Sequence, residues 1–186
     1  MTNRMIAPLV ALAALATAQT AQAQQQACVA AADLSDAVVY AMPIAFDATR
    51  TACANRLTRN GFMATDGQTF IAPFRDGQDK AWPGAFRVLK TFMDKPGASE
   101  DGSGMDMQAM IAAMPEDALR PFVDALVGQM IAEEIKGDSC GKIERGLELV
   151  SPLPAENVGA LVAFLVEIAE IKEPPVCPAP QTGKQK

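Results

Sequence analysis

Residues 155–171, AENVGALVAFLVEIAEI, decide the fold class. Alanine, leucine and glutamate favour a helix, and the stretch lies between the proline turn SPLP (151–154) and the proline-rich PPVCPAP (174–180). Val158, Leu161, Val162, Leu165 and Ile168 recur at helical spacing and form the expected inner face. Phe164, Val166 and Ile171 widen that face, so the helix is apolar over most of its circumference. It is too short to span a bilayer, and Glu167 and Glu170 interrupt it. A helix of this kind is expected at the centre of a bundle core.

Upstream, SCGKIERGLELV (139–150) forms a second helix, so that Cys140 and Cys177 flank a helical pair turned by prolines. The same device recurs near the start. ACVAAADLSDAVVYAM (27–42) is a helix that Pro43 is expected to end, and residues 43–61 form the next, stopped by Gly61. In one continuous helix Cys28 and Cys53 would lie about 37 Å apart and could not bond. A sharp turn at Pro43 would bring them together, which favours the pairing Cys28–Cys53 with Cys140–Cys177. Closing loops of this size stabilises by about 3–4 kcal/mol each in the chain-entropy model.

Between these hairpins, Phe70, Ile71 and Phe74 suggest a short element with Pro73 near its beginning. A clearer helix runs over 83–94 and buries Phe86, Leu89, Phe92 and Met93. Residues 96–104 form a linker by composition. MDMQAMIAAM (105–114) is a short helix ended before Pro115, and residues 115–138 form a long one. The long helix has an apolar face of Phe122, Val123, Leu126, Val127, Met130 and Ile131.

The first residues bear on the compartment. Arg4, a short apolar run over 5–16 and the small residues Ala21 and Ala23 make a secretory signal peptide, with cleavage expected before Gln24. The mature chain is then periplasmic or secreted, and an even count of four cysteines in such a chain implies two disulfides. The net charge is −6 and the signal carries an arginine but no acid, so the chain is a poor match for nucleic acid or an anionic membrane.

Chemistry is bounded by an absence: the chain has no histidine. That excludes Ser–His and Cys–His nucleophiles and every His-ligated metal. Four-cysteine zinc sites use close pairs, and none is present. Met105, Met107, Met110 and Met114 offer soft ligands for copper, although 107, 110 and 114 also fit a core stripe. Glu133 with Glu134, Glu144 with Glu148, and Glu167 with Glu170 are the carboxylate pairs a hydrolase would need, and each also fits a solvated helix face. Arg50, Arg56, Arg59, Arg87 and Lys90 are scattered at helical spacing as partners for surface acids.

Cys28 and Cys53 with a proline between them, A-W-P from Ala81 to Pro83, C-G-x-I-x-R from Cys140 to Arg145, P-L-P-x-E-N from Pro152 to Asn157 and the terminal Cys177 form a pattern. It resembles a family of exported, four-cysteine helical proteins of Gram-negative bacteria. The likeness spans most of the mature chain and implies an architecture but no catalytic residue.

The expected fold is all-α: one bundle of about seven or eight helices over 24–172, two disulfide-closed hairpins, and a proline-rich tail over 173–186. The expected function is a non-catalytic binding or interaction module of the cell envelope, without a cofactor or a transmembrane segment in the mature chain. Its partner would be a protein or an apolar ligand, with Phe164 and its neighbours lining the groove. A Met-based copper binder and a carboxylate-dependent hydrolase are the alternatives.

Overall fold

The computed structural model describes residues 28–93, 115–169 and 175–177. The expected signal peptide (1–23), the expected linker over 96–104 and the methionine segment 105–114 lie outside them, as does most of the expected tail. The fold is all-helical. Among the described residues there are six helices: α1 (Ala31–Ala52), α2 (Phe62–Thr65), α3 (Gly67–Met93), α4 (Glu116–Glu134), α5 (Cys140–Val150) and α6 (Ala155–Ile168).

Among the described residues, prolines do not end the helices that contain them. Pro43 lies inside α1, Pro73 and Pro83 inside α3, and Pro121 inside α4. An internal proline removes one backbone hydrogen bond and costs a helix about 3 kcal/mol, so tertiary packing must offset the loss. For α1 it does so on three sides, because α3, α4 and α6 all pack against it. Pro43 is itself buried, and in the turn before it the Gln78 side chain donates to Tyr40 O at 3.0 Å. Pro73 and Pro83 are solvent-exposed, on the side of α3 where water can reach the helix. The expected helix over 83–94 thus falls, as far as Met93, in the C-terminal part of α3, and Phe70, Ile71 and Phe74 belong to the beginning of α3.

The continuity of α1 overturns the favoured disulfide pairing. Pro43 does not fold the chain back, so Cys28 and Cys53 sit at opposite ends of a 22-residue helix. Cys53 bonds Cys140 (Cα–Cα 5.7 Å), joining the end of α1 to the start of α5. Cys28 bonds Cys177 (Cα–Cα 4.9 Å), joining the two ends of the described chain. No free cysteine remains. The cysteines therefore do not close two hairpins. They tie distant parts of the chain, and loops this long contribute about 4–5 kcal/mol in the chain-entropy model. The tail is held by more than its cysteine: Val29 N donates to Pro175 O and Cys177 N to Val29 O, each at 2.9 Å.

The core lies where α1, α3 and α6 meet. Phe46, Ile71, Phe74, Leu119 and Val158 are each at most 2% exposed. An aromatic row, Tyr40–Trp82–Phe86, continues it, with ring centroids 4.9 and 5.4 Å apart. Trp82 and Ala81 of the A-W-P run are buried there, and Pro83 is exposed. Asp33–Arg87 and Asp47–Arg75 tie α1 to α3 at the surface.

Candidate docking surface

Helix α6 is anchored through small residues. Ala155, Val158, Gly159 and Ala163 are its buried side chains. Gly159 allows the close approach: a Cβ there would lie 2.7 Å from Ser35 O and 3.1 Å from Val39 Cγ2. Ala155, Gly159 and Ala163 recur every four residues, so one line of small side chains faces α1 and brings the two backbones together. Close approach multiplies dispersion contacts along the helix pair, which compensates for the small area of each side chain.

Seating α6 on that line turns its large apolar residues outward. Leu161, Phe164, Leu165 and Ile168 are 40, 55, 49 and 57% exposed. They recur at i, i+3, i+4 and i+7, a continuous seam on the solvent side. Of the expected inner face, Val158 is buried and Val162 half-buried, whereas Leu161, Leu165 and Ile168 are outside. Ile171 lies outside the described residues. The sequence signal missed was size: the pattern of small residues, and not of large ones, marks the buried face.

Helix α4 behaves similarly. Phe122, Leu126 and Met130 of its expected apolar face are exposed, while Val123, Val127 and Ile131 are half-buried. Its anchors are Leu119 and a polar network that the sequence reading did not foresee. Tyr40 donates to Asp124 Oδ1 at 2.5 Å, and Arg120 lies over the Tyr40 ring, 5.3 Å from its centroid. Arg120 also pairs with Asp79, so the network joins α1, α3 and α4. Burial, followed by the bond to Asp124, pushes the Tyr40 phenol above its ordinary pKa, and the bond to Asp79 raises that of Arg120.

The carboxylate pairs are separated by their partners. Glu144 accepts from Met63 N at 3.0 Å and caps α2, whereas Glu148 accepts from Arg145 at 2.8 Å. Glu133 accepts from Gln129 on the exposed side of α4, and Glu170 lies outside the described residues. A surface cleft of about 620 Å³ does lie between the start of α3 and the α5–α6 turn. Phe62, Phe70 and Phe74 line it with Asp66, Glu148 and Glu156, but Glu144 does not. Among the described residues no group of three or more acids or cysteines is placed to hold a metal. Met105, Met107, Met110 and Met114 lie outside them.

No single helix among the described residues is long and apolar enough to cross a membrane. The helices α5 and α6 taken together have the length and composition, but they meet at a 117° bend. No protein-family model matches this chain, and no curated protein or solved structure matches it.

Proposed function

We propose that this chain is an exported, non-catalytic binding module whose docking face is the outer seam of α6. The observation that carries this reading is the exposure of Leu161, Phe164, Leu165 and Ile168 on one side of a helix already anchored through its other side. A contiguous apolar patch is a mark of an interaction site, and spacing at i, i+3, i+4 and i+7 suits an apolar-faced helix as the occupant. Two disulfides suit an oxidising compartment, and the N-terminal signal pattern points the same way.

The test has two parts. The full chain, expressed in a Gram-negative host, is expected in the periplasmic fraction with a mass beginning at Gln24 and both disulfides formed. Retention of residues 1–23 in the cytoplasm would remove the export claim. The apolar dye anilinonaphthalene sulfonate is expected to bind the folded wild type and to lose most of its fluorescence with Phe164→Ser. Equal fluorescence from both would remove α6 as the docking face.

A further inference from the structure

We infer that the helix taken up by the α6 seam is α6 of a second copy of this chain, paired antiparallel about a two-fold axis between Phe164 and Leu165. This inference rests on the docking reading above and names its occupant. Three features of α6 support self-pairing.

The first is spacing. Leu161, Phe164, Leu165 and Ile168 read the same in either direction: three, one, three. An antiparallel copy therefore sets Leu161 opposite Ile168 and Phe164 opposite Leu165, the self-complementarity that a two-fold interface requires. The second is charge. No ionisable side chain occurs in α6 between Glu156 and Glu167. In this register Glu167 lies opposite Val162, so within α6 itself no carboxylate meets another although the chain as a whole is acidic. Antiparallel helix dipoles also attract. The third is shape. Ala160 and Ala169 flank the seam on either side, and both are small and exposed. They leave room for a second backbone, as Ala155 and Gly159 do on the inner side.

The area sets the strength. With a large apolar side chain presenting roughly 150–200 Å² when free, four that are about half exposed present about 350 Å². A standard interface uses about 800 Å² per partner. The dimer is therefore transient and governed by concentration, a pairing in which α6 is free in dilute protein and covered in concentrated protein.

Sedimentation of the full, disulfide-intact chain from micromolar to millimolar concentration tests this, with dye binding followed in the same samples. The wild type is expected to rise toward twice the monomer mass and to lose dye fluorescence as it does so. Leu165→Glu is expected to remain monomeric across the range with its melting temperature unchanged. Ile168→Glu, at the most exposed seam position, serves as a second variant should the first be unstable. A wild type that stays monomeric while binding dye at α6 would overturn self-pairing and leave the docking face standing. A monomer that binds no dye would overturn both. A dimer that survives both substitutions would place the contact elsewhere and overturn the inference.

Discussion

The two faces of α6 are both apolar and have opposite fates. The inner one, Ala155, Val158, Gly159 and Ala163, is buried against α1. The outer one, Leu161, Phe164, Leu165 and Ile168, has far more hydrophobic area and is exposed. Burial energy alone would choose the second, since transfer free energy grows with apolar area. The first wins because it lets two helices close to backbone contact at Ser35. Hydrophobicity says that a helix will be buried somewhere, whereas side-chain size says where.

This comparison can be broken most forcefully at Gly159. Gly159→Val puts branched carbon where Ser35 O already stands 2.7 Å from a Cβ, and backbone cannot yield as a side-chain tip can. Overpacking of this severity is expected to cost about 3 kcal/mol or more. Thermal unfolding should show it as a fall of roughly 6–12 °C for a chain of this size. Val158→Ala tests the same face by removal: Val158 is 2% exposed, and the lost methyls and cavity should cost about 2 kcal/mol in chemical denaturation.

Tyr40 sharpens the comparison on α4, whose outer apolar residues are likewise exposed while a polar bond holds its inner side. Tyr40→Phe strands the half-buried Asp124 and is expected to cost about 1.5 kcal/mol. It should also remove a pH dependence. The phenol keeps its proton to higher pH in the fold than in the unfolded chain, so its stabilisation is complete below the free phenol's pKa of about 10 and is lost as pH rises beyond it. Denaturation midpoints should fall above about pH 10 in the wild type and fall less in the variant.

The smallest effect is expected on the outer face. Phe164→Ser should change stability by less than about 0.5 kcal/mol, despite replacing one of the largest apolar side chains in the chain. A loss comparable to that of Val158→Ala would mean that Phe164 is packed in the monomer.

Much of the architecture was legible in the sequence because composition and periodicity act locally. The all-helical class, helices α5 and α6, and the use of all four cysteines as disulfides came from such signals. What failed depended on partners distant in sequence. Pro43 looks like a helix end when only its own turn is considered, but α3, α4 and α6 pack against α1, which runs through it unbroken. Once α1 runs through, Cys53 is carried away from Cys28 and toward Cys140, so one mistaken turn changed both pairings. The candidate surface is half legible: Phe164 stands out as apolar area beyond the inner face, while the spacing and size of Leu161, Leu165 and Ile168 point them to the core, and all three are exposed. The Tyr40–Asp124 bond spans 84 positions, and no local pattern announces it.

Hydroxyl-radical footprinting of dilute, disulfide-intact protein tests the central claim most directly. With Phe46 as the buried reference at 1% exposure, Phe164, Leu165 and Ile168 are expected to label strongly while Val158 stays as protected as Phe46. Protection of Phe164 at the level of Phe46 in the monomer would contradict the claim, because α6 would then bury its large face and have no surface to offer.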